Sequence, residues 1–410
     1  MDLFIRERYL KKVRGFYHSE DIIKVITGVR RCGKSSLMQM MAAELLAEGI
    51  SKEHLIFINL DLRKYRKIKT ADQLEELIAG ELQATGLNYL FIDEVQNVTG
   101  FEEVLNGFRE DGNCSIFITG SNSYLLSGEL ATKLTGRYIE FEIYPLTFDE
   151  YEQMKRFYNI DVNPNAAVEL RNYILEGGFP RAVRIEGLQD KRRYAESIVK
   201  EIFEKDIRKR IKIRQKEVFE AVRQYVINNF GATTSINNLQ KDLNKNGLTV
   251  SRKTLTRYIK ALTDAKVLYE CERFDLKSRK PLSGEKKYYL SDMSFYYCLN
   301  TDNRINYGPV LENLVFFYAK SMDNSVSVGR IGKLECDFIL RNASMGYSYV
   351  QVAYTIAESR DTEELEYRPL EEIKDNYPKY VVTTDYILQQ RNGIHHVNIM
   401  DFMGDGKEFA

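Results

Sequence analysis

The chain has 410 residues with 59 Lys and Arg against 59 Asp and Glu, a length that predicts two or three domains and a zero net charge that does not favour nucleic-acid binding across the whole surface. Five scattered cysteines without a CxxC pair speak against a disulfide framework or a cysteine zinc cluster. No apolar run approaches the roughly 20 residues of a membrane helix, and the charged N-terminus is unlike a signal peptide, so we expect a cytoplasmic protein with no membrane partner.

The first block of the chain, residues 1–148, alternates short apolar runs with helical stretches. Strands are predicted at Ile22–Thr27, Leu55–Leu60, Tyr89–Ile92, Ser115–Thr119 and Arg137–Ile143. These runs are apolar almost throughout, as in strands that are covered on both faces. A four-residue spacing of apolar side chains predicts a helix over Ser35–Leu46. The block is therefore expected to be an α/β fold with a parallel sheet and right-handed crossovers.

The rest of the chain divides into three further segments. Residues 149–216 are predicted to be a helical extension with a turn at Gly177-Gly178-Phe179-Pro180. Residues 217–280 predict helices over Glu217–Phe230, Ile236–Asn246 and Ser251–Ala265, and then an extended run, Val267–Phe274. Three helices followed by an extended wing resemble a winged helix. Residues 281–410 return to β-rich runs around one helix, Leu311–Ser321, and predict a separate α/β domain.

A phosphate-binding loop is predicted directly after the first strand. The segment from Gly28 to Ser35 has the spacing G-x-x-x-x-G-K-[ST]. Its glycines permit backbone conformations that wrap N–H groups around phosphates, and the next helix points its positive end at the anion. Lys34 is expected to reach the β- and γ-phosphates and Ser35 to ligate Mg²⁺. The residues predicted to hold the nucleotide are Gly28, Val29, Arg30, Arg31, Cys32, Gly33, Lys34, Ser35 and Ser36.

The second half of this site is predicted at the end of the strand Tyr89–Ile92, which runs into two carboxylates. Asp93 is expected to hold the Mg²⁺ shell, and Glu94 to orient or deprotonate an attacking water. Alone, an apolar run ending in Asp-Glu is often a strand that enters a polar loop. Its position after a phosphate loop, with a helix and a strand between, favours the functional interpretation.

Two more candidates follow. Ser121 and Asn122, at the tip of the next strand, are placed to contact the γ-phosphate or the water, although turn chemistry explains them equally well. Arg137 precedes the fifth strand and is a candidate for stabilising transition-state charge, in cis or from a neighbouring subunit of a homo-oligomer. The alternative for Arg137 is a surface arginine.

Together these motifs resemble the prokaryotic AAA-type ATPases that carry a C-terminal domain of unknown function. The resemblance rests on Ile26–Ser35, Phe91–Gln96, Ile118–Ser123, Leu134–Arg137, Gly177–Pro180, Leu311–Asn313 and Glu335–Ile339. It implies a P-loop ATPase module, a winged-helix region and a C-terminal fold like that of restriction endonucleases. It favours ATP over GTP as the nucleotide, and it implies no known substrate.

Basic residues in two places make double-stranded DNA a candidate partner. Residues 191–216 hold eleven Lys and Arg against four Asp and Glu, and the helix Ser251–Ala265 carries Arg252, Lys253, Arg257 and Lys260. The last helix of a winged helix commonly enters the major groove, where basic side chains contact phosphates. Winged helices also bind proteins, and charged helix faces are often only solvated, so a protein partner remains the alternative.

In the C-terminal block, Glu312, Asp337 and Gln351 occur in an order that resembles the PD-(D/E)XK nucleases. In that arrangement a helix acid, a strand Asp and a following (Glu/Gln)-x-Lys share a Mg²⁺ site. Here the Lys position is Ala353 and Gln351 carries no negative charge. We therefore expect a degenerate domain that binds rather than cleaves.

Three functions follow from the sequence. The first is an ATPase that hydrolyses ATP with Mg²⁺ and is coupled to DNA or protein binding. The second is a nucleotide-dependent interaction switch with little turnover. The third is a nuclease gated by ATP, which the missing lysine makes the weakest of the three.

Overall fold

A computed structural model describes residues 3–120, 134, 136–208, 211–300 and 304–404. The chain divides into two compact units, Met1–Ile143 and Tyr144–Ala410. Among the residues that the structure describes, no helix combines the length and the apolarity that crossing a bilayer demands.

The first unit is built on a five-stranded sheet. Its strands are β1 Ile23–Thr27, β2 Leu55–Asn59, β3 Asn88–Asp93, β4 Cys114–Thr119 and β5 Tyr138–Glu142. They pair in the order β2-β3-β4-β1-β5, and every pairing is parallel. All residues of β1, β3 and β4 are buried, because helices cover both faces of a parallel sheet. The predicted α/β fold with a parallel sheet is confirmed.

Helix α1 Glu7–Val13 precedes β1. Helices α2 Lys34–Ala47, α3 Ala71–Glu81 and α4 Phe101–Asp111 connect β1, β2, β3 and β4 in chain order. The helix α2 begins after six intervening residues and matches the helix predicted at Ser35–Leu46 to within one residue at each end. Because all five strands are parallel, the residues that follow their carboxyl ends lie at one edge of the sheet, where ligands bind in open α/β folds. This edge holds the ends of β1, β2, β3 and β4.

The second unit begins with helices. They are α5 Phe148–Phe157, α6 Ala166–Glu176, α7 Pro180–Val183, α8 Leu188–Ile202, α9 Lys216–Asn228, α10 Ile236–Lys245 and α11 Arg252–Asp264. A π-helical turn, Phe203–Ile207, extends α8. Ser235 and Ser251 accept hydrogen bonds from backbone N–H groups in the first turns of α10 and α11, so each helix begins with a side-chain cap.

The strands of the second unit form one nine-stranded mixed sheet. They are β6 Thr233–Thr234, β7 Leu268–Asp275, β8 Lys280–Leu290, β9 Ser325–Ile331, β10 Leu334–Arg341, β11 Tyr347–Val352, β12 Lys379–Thr383, β13 Gln390–Arg391 and β14 Ile394–Asn398. Their order is β13-β14-β12-β11-β10-β9-β7-β8-β6. The helices α12 Ser294–Leu299, α13 Tyr307–Ser321, α14 Arg360–Glu371 and α15 Ile399–Phe402 accompany them.

This sheet is continuous across the domain boundary that the sequence placed at residue 280. The hairpin of β7 and β8 pairs with β6 on one side, and Arg273–Asp275 of β7 pairs in parallel with Val328–Arg330 of β9 on the other. The boundary therefore falls inside a hairpin. Alternation and turn residues predict that a strand exists, but they do not specify which sheet it joins.

The predicted turn at Gly177-Gly178 is held by the chain on both sides of it. Gly178 O accepts a hydrogen bond from Leu146 N (2.7 Å), and Gly178 N donates to Asp292 Oδ2 (2.6 Å). A Cβ at Gly178 would lie 2.3 Å from Leu146 O, so no larger residue fits. Asp292 is fully buried, and burial raises the pKa of its carboxyl to about 6.

We expect Gly178→Ala to destabilise the second unit by about 3 kcal/mol, because the added methyl separates Leu146 from Gly178 and weakens two buried hydrogen bonds. Gly308→Ala is the control, since a Cβ there meets nothing within 4 Å and the residue lies in the first turn of α13. Thermal unfolding of the intact chain measures both. An equal effect of the two substitutions would contradict the role given to the turn.

Candidate nucleotide-binding site

The loop between β1 and α2 adopts backbone conformations that only two glycines in it readily allow. Gly28 has φ +142° and Gly33 has φ +113°, a region that side chains strongly disfavour. A Cβ at Gly28 would lie 2.2 Å from Ile143 O. Arg31 also adopts a positive φ of 71°. The loop therefore turns sharply over the carboxyl end of β1, as the G-x-x-x-x-G-K-[ST] spacing predicted.

The N-terminus of α2 is suited to bind an anion. Gly33 precedes this 14-residue helix without a side-chain cap, and its first turn carries no acidic residue. The free N–H groups and the helix dipole together favour a negative ligand at this position. Lys34 adds a charge: its buried ammonium donates to Gly28 O at 2.9 Å and Val29 O at 3.3 Å, so it lies across the loop.

A carboxylate stands beside the first turn of α2. Asp93, the last residue of β3, accepts through Oδ2 from Ser35 Oγ at 2.6 Å and from Asn59 Nδ2 at 2.9 Å. Its Oδ1 accepts from Thr119 Oγ1. Ser35 and Asp93 are the two residues that the sequence predicted to hold Mg²⁺, and the fold brings their oxygens together.

The sequence reasoning did not identify Asn59 and Thr119. Each is the last residue of a strand beside β3, and each is a polar residue in an apolar run. A polar residue at the end of an apolar run can therefore be read from the sequence. That it contacts Asp93 depends on the strand order β2-β3-β4, which the sequence does not show.

Glu94 is held by three groups. Its backbone adopts a left-handed conformation with φ 57°, and its N–H donates to Thr119 Oγ1 at 3.2 Å. Its Oε2 accepts from Gln96 Nε2. Its Oε1 lies 3.7 Å from Arg30 Nη1 of the phosphate loop. The carboxylate thus faces the loop beside the Ser35–Asp93 pair.

Cys32 and Ser36 complete the predicted loop residues. The Cys32 thiol is buried, and burial raises its pKa, which disfavours the reactive thiolate form. The carbonyl of Cys32 accepts a hydrogen bond from the buried Arg6 at 3.2 Å, and this contact holds the loop to the N-terminal segment. Ser36 lies in the first turn of α2.

The structure does not bring Arg137 to this site. Ile23 N donates to Arg137 O, so Arg137 lies at the amino edge of the sheet, whereas the loop lies at the carboxyl edge. The five residues of β1 span about 16 Å between these edges. The guanidinium instead contacts Asn106 Oδ1 at 3.1 Å and Glu110 Oε1 at 3.8 Å. The predicted role in cis is wrong, and a role in trans stays a prediction. Asn122 and Ser121 lie outside the described residues.

Mg²⁺ with a bound nucleotide needs only one or two protein ligands, because phosphates and waters supply the rest. The Ser35 hydroxyl and the Asp93 carboxylate fit that requirement. No cluster of three or more His, Cys, Asp or Glu side chains that could hold a metal without such help occurs in the described part of the chain.

Glu312, Asp337 and Gln351, the residues that the sequence related to a nuclease-type metal site, lie on α13, β10 and β11 of the second unit. Asp337 N donates to Gln351 Oε1 at 3.3 Å, and Val352 N donates to Asp337 Oδ2 at 2.9 Å. Burial, with Glu312 as a second cause, raises the pKa of the Asp337 carboxyl well above its usual range. Burial likewise raises the pKa of Glu312.

A lysine that the motif did not predict neutralises this cluster. Lys287 Nζ lies 3.2 Å from Glu312 Oε2 and 3.0 Å from Glu335 Oε1. Tyr289 OH also donates to Glu312 Oε2 at 3.0 Å. Burial opposes the charge on Lys287, but the surrounding carboxylates outweigh it and raise its pKa. An ammonium group of the chain therefore pairs with the carboxylate of Glu312, and whether these residues hold a metal stays a prediction.

The first unit defines the class of protein. A parallel sheet in the order β2-β3-β4-β1-β5, with a glycine loop between β1 and α2, is the P-loop NTPase fold. Residues 20–152 match the family described as AAA domain. The Walker-type ATPase of Pyrococcus abyssi has the same fold, with a TM-score of 0.52 and 17% identity over 73% of this chain and 96% of that one.

The chain belongs to the same family as an uncharacterized protein of Haemophilus influenzae, to which it is 33% identical over 97% of this chain and 98% of the relative. An uncharacterized protein of Methanocaldococcus jannaschii is 30% identical over 84% of this chain and 77% of its own. Residues 167–305 match a domain of unknown function, DUF8612. The restriction-endonuclease-like character of the C-terminal region stays a prediction.

Lys287→Met tests the buried cluster. Removing the ammonium leaves Glu312 and Asp337 buried without a cation, so we expect a loss of about 3–5 kcal/mol at pH 8. The loss should shrink toward pH 5, because the folded variant binds more protons than the unfolded chain and its stability falls as pH rises.

Lys286→Met is the matched control, because the neighbouring Lys286 pairs with Glu270 at the surface and should contribute about 0–1 kcal/mol. Chemical unfolding at the two pH values measures both variants. Equal losses for the two lysines at pH 8 would contradict the role given to Lys287.

Proposed function

We propose that this protein is an ATPase that binds ATP with Mg²⁺ in the loop Gly28–Ser35 and hydrolyses it. The observation that carries the proposal is the 2.6 Å contact between Ser35 Oγ and Asp93 Oδ2 beside the uncapped N-terminus of α2. The first turn of α2 thus offers free N–H groups for an anion, and its Ser35 hydroxyl lies against the Asp93 carboxylate at the end of β3. A polyphosphate and its counter-ion require these two features together.

Each residue of the loop has a physical role in this proposal. The N–H groups of Gly33 and the first turn of α2 bind phosphate oxygens, and Lys34 neutralises the β- and γ-phosphates. Ser35 and Asp93 hold Mg²⁺, which when bound withdraws charge from the transferred phosphoryl group. Asn59 and Thr119 fix the carboxylate of Asp93 through direct hydrogen bonds.

Glu94 is the proposed acceptor of the water proton. It follows Asp93 directly, and its left-handed backbone turns its side chain toward the loop. Thr119 holds the backbone of Glu94 as well as the carboxylate of Asp93, so one hydroxyl positions both acids. A general base typically contributes about 10²–10⁴-fold to a rate.

ATP turnover by the intact chain tests the proposal. We expect Lys34→Ala to abolish nucleotide binding. We expect Glu94→Gln to lower kcat by about 10²-fold or more while binding persists, because only the water-activating carboxylate is lost. The control is Glu76→Gln, an exposed glutamate of α3, and GTP is assayed in parallel with ATP.

Wild-type turnover in the Glu94→Gln variant would contradict the role of Glu94. Tight binding with negligible turnover in the wild type would instead identify a nucleotide-dependent interaction switch. The absence of nucleotide binding to the wild type at millimolar Mg-nucleotide would end the proposal.

We further infer that the protein couples this activity to double-stranded DNA through α11. Helices α9, α10 and α11 with strands β6, β7 and β8 have the element order of a winged helix. Exposed basic residues of this region include Arg252, Lys253, Arg257 and Lys260 on α11, and Lys277, Arg279 and Lys280 around the β7–β8 turn. Of the four on α11, Lys260 pairs with Asp264. A basic helix beside a basic hairpin tip suits a groove and its flanking phosphates.

The other basic segment is a weaker candidate. Within the described part of residues 191–216, five cations pair with nearby carboxylates: Lys191 with Glu176, Arg193 with Asp190, Lys205 with Glu201, Arg208 with Glu204 and Lys216 with Glu220. These pairs neutralise much of the charge that the sequence count suggested. The α11 face therefore carries the inference.

Duplex binding is measured by mobility shift at 50 and 150 mM salt. The triple variant Arg252→Glu, Lys253→Glu, Arg257→Glu should lose at least about tenfold in affinity and bind with a weaker salt dependence, because phosphate contacts release counter-ions. The control reverses the same number of exposed charges at Lys333, Arg360 and Lys374. Equal affinity of the two triple variants would exclude α11 as the DNA surface and leave a protein partner.

A further inference from the structure

The phosphate loop carries an arginine that contacts the proposed catalytic glutamate. Arg30 Nη1 lies 3.7 Å from Glu94 Oε1, and the two side chains are only 10% and 16% exposed. Arg30 belongs to the loop after β1 and Glu94 to the turn after β3, and β4 separates these two strands in the sheet. The contact therefore joins the loop after β1 to the turn after β3, across the end of β4.

This contact occupies the carboxylate that has to accept a proton. Glu94 Oε1 faces Arg30, and Glu94 Oε2 accepts from Gln96 Nε2. These contacts direct the carboxylate toward Arg30 and Gln96, whereas a general base needs an accepting lone pair aimed at the water that it activates. Release of Arg30 would leave Glu94 Oε1 available to that water.

We propose that Arg30 senses the γ-phosphate: its guanidinium pairs with Glu94 in the structure described here and transfers to the terminal phosphate of a bound nucleoside triphosphate, which frees Glu94 to act on water. This inference rests on the proposed ATPase function. It assigns to Arg30 the discrimination between nucleoside triphosphate and diphosphate, which the nucleotide-binding motif leaves to Lys34 and the backbone.

The geometry supports this exchange. The water that Glu94 activates must contact both Glu94 and the γ-phosphorus, so the γ-phosphate lies one water molecule away from the Glu94 carboxylate. Arg30, in contact with that carboxylate, reaches the same place by a change of side-chain rotamer. A diphosphate ends one phosphoryl group earlier and offers Arg30 no partner there.

Charge gives the direction of the exchange. A guanidinium binds phosphate through two parallel N–H···O contacts, and a terminal phosphate carries more negative charge than one carboxylate. At 3.7 Å, the Arg30–Glu94 contact is an ion pair outside normal hydrogen-bond distance. The loop therefore loses a long ion pair and gains shorter, charge-assisted hydrogen bonds.

Equilibrium binding of Mg-ADP and of a non-hydrolysable Mg-ATP analogue, in competition with a fluorescent ADP, tests the proposal. We expect Arg30→Met to weaken the ATP analogue about tenfold or more and to change ADP affinity less than about twofold. Arg30→Lys, which keeps the charge but not the planar fork, should fall between. The control is Lys52→Met, which removes an exposed cation preceding β2 at the amino edge of the sheet, and which should change neither affinity.

A double-substitution cycle with Glu94→Gln tests the exchange itself. Removing the carboxylate charge removes the ion pair with Arg30 in advance, so we expect Glu94→Gln to bind the ATP analogue several-fold more tightly than the wild type. The same substitution in the Arg30→Met background should have no such effect, because the partner is gone. Retained ADP binding shows that each variant has a folded loop.

Equal weakening of ADP and of the ATP analogue by Arg30→Met would overturn the inference and show a structural role for Arg30 in the loop. Unchanged affinity for both nucleotides would overturn it as well. A wild-type protein that binds neither nucleotide would refute the proposed ATPase function, and this outcome is distinct from the two failures of the sensor.

Discussion

The carboxylate of Asp93 accepts hydrogen bonds from Ser35, Asn59 and Thr119, and the geometry of the site depends on this one group. Ser35 lies in the first turn of α2, while Asn59 and Thr119 end the strands on either side of β3. A buried carboxylate needs such donors, because an unpaired charge removed from water is strongly unfavourable. The same contacts that satisfy Asp93 align the phosphate loop with three strand ends.

The second constraint is steric. Gly28 lies so close to Ile143 O that no Cβ fits, and its φ of +142° excludes most side chains in any case. The loop is therefore set by its backbone, and its side chains remain available for other contacts. Lys34 lies across the loop, Arg6 holds the Cys32 carbonyl, and Arg30 reaches Glu94. As proposed, Lys34 and Arg30 take phosphate oxygens as partners once a polyphosphate binds, while Arg6 keeps the Cys32 carbonyl.

The second unit uses buried charge in a different way. Lys287 bonds to Glu312 and Glu335, so the acids that the sequence related to a nuclease-type metal site have a cation from the chain itself. Ala353 lacks the lysine of that motif, and Lys287 arrives from a strand about 65 residues earlier in the chain. A buried ion pair of this kind contributes little net stability but is costly to break.

The sequence alone determined the five strands of the first unit, the parallel sheet and the loop, because apolar runs and the Gly-x-x-x-x-Gly-Lys-Ser spacing are local signals with a direct physical cause. It also predicted Ser35, Asp93 and Glu94 as site residues, which the fold places side by side. The tertiary structure decided what depends on the order of strands: the partners Asn59 and Thr119, the contact between Arg30 and Glu94, and the distance of Arg137 from the loop. It also joined β7 to β9, so that the predicted boundary at residue 280 lies within one sheet, and it brought Lys287 to Glu312.

The local sequence pattern specifies which helix or strand a residue belongs to. Pairing between distant strands specifies which residues meet, and a single sequence carries little information about that pairing.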